Sequence, residues 1–501
     1  MKNKTGVCRA LLLVGMGLMI PCYLFTAGNT LLSPWPLYDR NRLALCLLTP
    51  LCLLLLLLLG RAAKAKVFET HERAVLLGFA AFYFVIQLVM ASALRFTPVT
   101  DLEQCVTAAR RLAQTGAFGD SERSLIYFGR YPHNMGLVYL LAGIFKAADA
   151  LGADELMAAA LVCGLLFSMG LLCAARLCRR LGGAQAQARA LLLFATCLPF
   201  LHCTSELYTD AFSVAFAPMI VFAFLKARDA GSRKERSLWA LLFAVCTFFG
   251  AQIRFPTIIA AIACLIAALF EKRAKLTALL AAPLALVFAV GGSAVNAANK
   301  ANLGAANIAQ NKLPKLHYIA MGLPVQSDEG YGQYGYGGWL IFSTSFDDPQ
   351  ARDEALRQEV VDRAYTLARH PAQLLSTLSR KNLSTFGRGT FNLNEIFEAD
   401  AHEADNAVKQ AVFENGRFNR AYTHLATAMF VAQMALACIA CIQAIRRRDT
   451  HAAPLFLTLL GAFLFLSIWE TRARYFFQFM MILLCAGAMF ETPSTHAAQK
   501  A

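Results

Sequence analysis

The residues whose types and spacing could do chemistry gather in one stretch of this 501-residue chain, Phe96–Gly136. It begins Phe-Thr-Pro-Val-Thr-Asp101-Leu-Glu103 and ends Tyr127-Phe-Gly-Arg130-Tyr131-Pro132-His133-Asn134-Met-Gly136. It carries two carboxylates at one end, and an arginine, a tyrosine and a histidine at the other. Further along, Ser205-Glu206-Leu-Tyr208-Thr209-Asp210 makes a second acidic cluster. Arg254-Phe-Pro256 and Glu470-Thr-Arg472-Ala-Arg474-Tyr475 add guanidiniums, whose planar forks match phosphate oxygens. Each group also has a plain structural use. Thr100 or Asp101 would cap a helix, Glu103 would be a solvated helix residue, His133 would cap a turn after Pro132, and Glu470 would pair with Arg472 and Arg474.

The elements that must position these residues are apolar. The chain is 57% hydrophobic, has a mean hydropathy of +0.49 and is only 16% charged, against about 25% for soluble domains. That is the composition of a polytopic membrane protein. The net charge of +15 does not indicate nucleic acid, because the basic residues fall in short loops between apolar stretches. Most of the fifteen cysteines lie inside apolar runs, among them Cys46, Cys52, Cys163, Cys173, Cys264 and Cys485, where the thiol behaves as a small hydrophobe. Cys438-Ile-Ala-Cys441 has redox or metal-site spacing but lies mid-span, with no second pair or histidine beside it. The first apolar stretch, Cys8–Thr26, lacks a small-x-small cleavage site and reads as a retained anchor.

Crossing a hydrocarbon core takes about 20 apolar residues. Candidate spans run 8–27, 42–60, 73–94, 155–177, 187–204, 208–227, 237–252, 255–271, 276–295, 419–445, 452–469 and 474–490. Basic loops fall on alternate connections: Arg61 to Arg73, Arg176 to Arg189, Lys226 to Arg236, Lys272 to Lys275, and Arg446 to Arg448. This places both termini in the cytoplasm. The short stretch His133–Ala148 would invert every later loop if it spanned, so it is expected as a juxtamembrane helix. The expected fold class is therefore an all-α polytopic bundle of about 12 transmembrane helices. Asp101, Tyr208–Asp210, Arg254 and Glu470–Arg474 then share one non-cytoplasmic face.

The segment 297–417 is the one sizeable polar region and reads as a loop-and-helix cap. It contains a glycine- and tyrosine-rich loop, Gly330–Gly338, and a helix near 351–369 with Leu356, Val360, Ala364 and Leu367 at helical spacing. His370-Pro371 stops that helix, and a second amphipathic piece reaches Ser379-Arg380-Lys381.

Several short motifs together resemble the GT-C membrane glycosyltransferases. Asp101-Leu-Glu103 follows a third span, and aromatic-Gly-Arg-Tyr-Pro-His-Asn-x-Gly comes after it. Tyr-Thr-Asp ends the second outer hairpin, and His317-Tyr318-x-x-Met-Gly and Glu-x-Arg-x-Arg-Tyr appear late. The branch resembled is that of protein O-mannosyltransferases and bacterial aminoarabinose transferases (glycosyltransferase family 39-like), over roughly residues 70–490. The resemblance implies four regions. Residues 1–72 are added spans, and 73–296 a core with first outer loop 95–132 and juxtamembrane helix 133–149. Residues 297–418 are the cap, and 419–501 the last spans and a tail.

The resemblance also implies a reaction in the cell membrane. A sugar carried on a polyprenyl phosphate passes to a hydroxyl of an envelope glycan, lipid or protein on the outer face. Asp101 matches the family's first-loop acid and takes the role of base. The Asp-x-Glu order departs from patterns with the acids inverted, which leaves Glu103 open for the same role. Arg130, His133, Arg254, Arg472 and Arg474 are candidates for the phosphate, with Tyr131, Tyr208 and Glu470 beside them. Asp210 matches the second outer acid and would either hold a divalent metal cation, the one cofactor left open, or position the phosphate-binding cations. The alternatives are a transporter or flippase of lipid-linked sugars, and an envelope-glycan ligase or polymerase.

Overall fold

The computed structural model describes residues 2–35, 37, 41–63, 65–94, 97–119, 121–326, 329–393, 406–413 and 416–491. Phe96, residues 394–405 of the cap segment and the tail after 491 lie outside the described residues. Every regular element among the described residues is helical. Among the described residues, eight helices are long and apolar enough to cross a membrane, and three shorter apolar ones cover Phe255–Phe270, Ala453–Ile468 and Ala473–Ala488.

One of the eight long helices folds back on itself. Glu155–Ala195 is broken at Gly182 and Gly183, the latter with φ +73 and ψ −168, a conformation open only to glycine. The contacts with the neighbouring helix Ala65–Ala93 show the reversal. On the first arm Ser168 Oγ donates to the Ala80 carbonyl at 3.3 Å and Arg179 pairs with Glu72 at 3.4 Å. On the second, Gln187 reaches Glu72 at 3.1 Å, Tyr83 donates to the Phe194 carbonyl at 3.0 Å and Thr204 N–H donates to Gln87 at 3.0 Å. The partners run down the neighbouring helix and then back up it. The stretch is a helical hairpin.

The bundle has two unlike ends. At one, a connected series of contacts links the basic loops: Arg61 to Glu491 at 2.9 Å, Arg189 to the Gly60 carbonyl at 3.2 Å, Arg180 to Asp229 at 3.0 Å, and Arg273 to Glu271 at 3.1 Å. The other end carries the cap and the residues singled out above. The helix Lys2–Leu32 packs within the same hydrophobic core as the last spans, and Tyr23 donates to the Leu459 carbonyl at 3.3 Å. The first two helices are not a separate unit in space. By contrast, only 6% of the apolar stretch of Ala274–Leu303 is buried, so this helix stands on the flank of the bundle.

Met135–Ala150 is a 16-residue helix, about 24 Å long at 1.5 Å per residue, which is short of a hydrocarbon core of about 30 Å. It buries Met135, Val138, Leu141, Ala142 and Phe145, one stripe at helical spacing, and packs against the helix Thr100–Thr115. In the cap, Asp348 caps the helix Pro349–Arg369 by accepting from the Gln350 and Ala351 amides at 3.0 and 3.2 Å. Its buried face differs from expectation in one respect: Ala364 is exposed and Arg363 is buried instead. The Arg363 guanidinium reaches Glu329 at 2.8 Å, donates to the Leu323 carbonyl at 3.0 Å and lies over the Trp339 ring. Apolar periodicity could not show that the inward-facing position is ionic. A small second core, Ala320, Met321, Trp339 and Leu356, holds the cap helices together.

Gly136 marks where the helix Met135–Ala150 meets the bundle, because a Cβ there would overlap the Gln252 carbonyl oxygen. We predict that Gly136→Val costs about 2–3 kcal/mol through forced overpacking. Gly143→Ala, in the same helix but facing open space, should be neutral or stabilising by up to about 1 kcal/mol. Thermal unfolding in detergent measures both, and equal effects would contradict the packing described.

Candidate active site

The residues that form the site sit where helices break. Asp101 lies in the first turn of Thr100–Thr115. Tyr127 and Tyr131 lie one turn apart at the end of Glu122–Arg130, where Pro132 starts a short 3-10 turn. Tyr208 precedes the short helix Thr209–Ser213. Arg254 leaves the end of Arg233–Ile253 in an extended conformation, two residues before Pro256. Glu470 and Arg472 lie in the gap between Ala453–Ile468 and the 3-10 turn Ala473–Phe479. Backbone freed from helical geometry can aim side chains into a shared space.

That space is a cavity of about 630 Å³. Asp101, Glu103, Arg130, Tyr131, His133, Tyr208, Arg254, Glu470, Arg472 and Arg474 all line it. Asp210 does not line it but lies directly behind, fully buried. It pairs with Arg254 Nε at 3.0 Å and Arg474 Nε at 3.4 Å. Of the two roles open to Asp210, positioning cations is the one this geometry serves. No cluster of three or more His, Cys, Asp or Glu side chains among the described residues is arranged to hold a metal ion.

Asp101 does not cap its helix, since Val99 occupies the cap position without a side-chain bond. Its carboxylate instead accepts from Tyr127 Oη at 2.8 Å and Tyr208 Oη at 3.5 Å. Asn134 Nδ2 donates to Tyr127 Oη at 3.0 Å, which directs the tyrosine's own proton onto Asp101. The Glu103 side chain is exposed and makes no hydrogen bond or ion pair among the described residues, so Asp101 is the more rigidly aimed of the two acids.

The cations differ in the same way. Arg254 is fixed on all sides: it donates to Thr209 Oγ1 at 2.8 Å, pairs with Asp210, and stacks over the Tyr475 ring at 4.2 Å. Arg474 lies over the Tyr208 ring at 5.4 Å, and Arg472 donates to the Tyr334 carbonyl at 3.3 Å. Arg130 lines the cavity with its buried Nε unbonded and no ion pair among the described residues. Tyr475 donates to Glu470, whose carboxyl is pushed up by burial and pulled back by this hydrogen bond and the neighbouring arginines. His133 is open to the cavity yet ringed by protein. Burial and then Arg254 pull its imidazole down to about 4, so at neutral pH it is a hydrogen-bonding group rather than the cation expected.

Sequence reading missed Tyr127 and Tyr334 as site residues. Tyr334 comes from the glycine- and tyrosine-rich loop, and its hydroxyl meets that of Tyr131 at 2.7 Å. Tyr127 had a usable signal, its one-turn spacing from Tyr131; Tyr334 had none, because its partner is distant in sequence. A second chamber of about 370 Å³ adjoins the first and shares His133, Asn134, Arg254, Tyr318, Glu470 and Tyr475 with it. Its other walls are more apolar, including Ile253, Phe255, Pro256, Val295, Leu313 and Phe465, and Val295 belongs to the flanking helix Ala274–Leu303.

A family model described as "conserved hypothetical integral membrane protein" matches residues 42–495, and the chain belongs to that family. No curated protein and no solved structure matches the chain.

Asp210 neutralises two arginines that are largely sealed from solvent, so we predict that Asp210→Asn destabilises the protein by roughly 3 kcal/mol, read by thermal unfolding. Arg254→Met in the Asp210→Asn background should recover part of that loss. His133 carries the opposite pH signature to a paired carboxylate's neighbour cation. Its folded value lies below the ordinary 6.5, so the unfolded state binds the extra proton, and the stability it contributes is complete above pH 6.5 and lost as pH falls toward 4. His133→Asn should flatten the fall in unfolding temperature across that window.

Proposed function

We propose that this membrane protein is a glycosyltransferase that moves a sugar from a polyprenyl-phosphate donor to a hydroxyl of an envelope glycan, lipid or protein. One observation carries the reading. A carboxylate aimed by two tyrosine hydroxyls and a pair of arginines pinned from behind by Asp210 line the same cavity. A displacement at an anomeric carbon needs those two features: a base for the incoming hydroxyl and fixed positive charge for the departing phosphate.

In this reading the phosphate lies against Arg254, Arg472 and Arg474, and the lipid chain leaves through the apolar adjoining chamber, past the flanking helix. The acceptor oxygen attacks the anomeric carbon and the bond from that carbon to the phosphate oxygen breaks. The electron pair leaves with the phosphate, and the hydroxyl proton goes to Asp101. His133, as a neutral imidazole, donates a hydrogen bond to the phosphate, and the tyrosines around Asp101 line the space for the sugar. The charged residues of the cavity sit at one end of the bundle, which favours chemistry at the interface over a polar path through the membrane. The arginine-rich opposite end supports a cytoplasmic placement of that end and of both termini, with the site on the outer face of the cell membrane.

Asp101→Asn should lower sugar transfer by at least about 100-fold, the scale of a lost general base, with expression and unfolding temperature unchanged. Tyr127→Phe, which removes one of the hydroxyls aiming Asp101, should cost about tenfold. Both are measured as release of polyprenyl phosphate and labelling of envelope acceptor in purified membranes. Full transfer by the Asp101 variant would remove this mechanism.

A further inference from the structure

The buried amine of Lys381 plays no part in the mechanism above, yet it meets the site's framework at its central joint. Lys381 is 1% exposed, on the cap helix Pro371–Phe386. Its Nζ donates to the Trp469 carbonyl at 2.8 Å and to the Gly322 carbonyl. Both acceptors are neutral. Among the described residues the amine has no ion pair with a carboxylate, and the nearby Glu470 only favours its charge from a distance. Charging a buried amine held by carbonyls alone is costly, and a well-packed apolar side chain of similar size is often no less stable. Stability therefore does not account for a lysine at this position.

Geometry does. Trp469 directly precedes Glu470, Arg472 and Arg474. Gly322 closes the helix Lys315–Met321, whose Tyr318 lines both chambers. The two segments touch backbone to backbone, since a Cβ on Gly322 would overlap the Ile468 carbonyl oxygen. The Tyr318 and Trp469 rings stack with centroids 5.1 Å apart. The loop bearing Tyr334 is tied to the same turn, because Thr471 N–H donates to the Gly332 carbonyl at 2.8 Å and Thr471 Oγ1 to the Tyr331 carbonyl at 2.9 Å. Neighbours of Lys381 on its own helix grip that loop too: Arg380 donates to the Gly330 carbonyl at 3.1 Å and Ser384 accepts from Gln333 at 2.8 Å.

We propose that Lys381 is a positioning residue, which joins the cap to the Trp469–Arg474 turn and so sets where Glu470, Arg472, Arg474, Tyr318 and Tyr334 stand around the cavity. It touches no reacting atom. The consequence for transfer rests on the glycosyltransferase reading; the consequence for the turn does not.

The test is hydrogen exchange by mass spectrometry on the full-length protein in lipid nanodiscs, comparing wild type with Lys381→Met and Lys381→Gln. In K381M, exchange across 468–475 and 330–338 should rise at least tenfold while the span Asn419–Arg446 keeps its protection. K381Q, which retains an N–H donor at this depth, should fall between the two and serves alone if K381M does not accumulate. Sugar transfer should follow the same order, with kcat lowered at least tenfold in K381M and unfolding temperature unchanged. Unchanged protection of 468–475 overturns the proposal. So does a rise spread equally over Asn419–Arg446, which would make Lys381 a general stability residue. Because exchange needs no sugar substrate, a loosened turn in a protein that transfers nothing even as wild type would refute the glycosyltransferase reading and leave this one standing.

Discussion

One carboxylate holds the cavity end of this molecule together. Asp210 has no exposed surface and faces two guanidiniums, one from the break after Arg233–Ile253 and one from the break after Ala453–Ile468. Without it, two positive charges would stand side by side with little solvent to screen them. With it, both forks are fixed from behind and supported on their faces by Tyr475 and Tyr208. Three interrupted helices thus converge at one buried charge. The cavity follows from that convergence, because a continuous helix at any of the three would fill the space.

The site combines two ways of fixing a charged group. The arginines are held by an opposite charge; Asp101 is held by neutral hydroxyls that can lengthen or shorten their hydrogen bonds without being neutralised themselves. A group kept in place by neutral donors stays available to accept a proton, whereas one locked in an ion pair does not. The division of labour between Asp101 and Asp210 is therefore visible in their partners, although both are aspartates at helix starts. Arg130 is a third case, lining the cavity with neither kind of restraint among the described residues.

Much of this was legible in the sequence for physical reasons. Apolar length marked the spans and alternating basic loops marked the two ends. The hairpin at Gly182–Gly183 was expressed as two short apolar runs with arginines between them. The cavity gathers residues from 101, 130–133, 208, 254 and 470–474, which lie in or beside the connections that the alternation of basic loops had assigned to one face. What stayed hidden depends on contacts between residues distant in sequence. Nothing near Tyr334 says that it meets Tyr131, and nothing near Lys381 says that its amine ends on Trp469. Periodicity also mistook Ala364 for an inward residue, because it counts apolar positions and cannot register that Arg363 is buried by its pairing with Glu329. The alternative use of Asp101 as a helix cap failed for a related reason: capping is a local rule, and the tyrosines that bond its carboxylate lie elsewhere in the sequence.

The flanking helix Ala274–Leu303, packed so lightly against the bundle, has a kinetic meaning. It forms one wall of the apolar chamber through Val295 and Asn299. An amphiphile entering there would come sideways out of the bilayer, never having been dissolved in water. Its encounter rate would be set by lateral diffusion and by its mole fraction among the surrounding lipids, and diluting the vesicles would leave saturation unchanged. A concentration per litre would then be the wrong axis on which to plot this protein's behaviour toward a lipid.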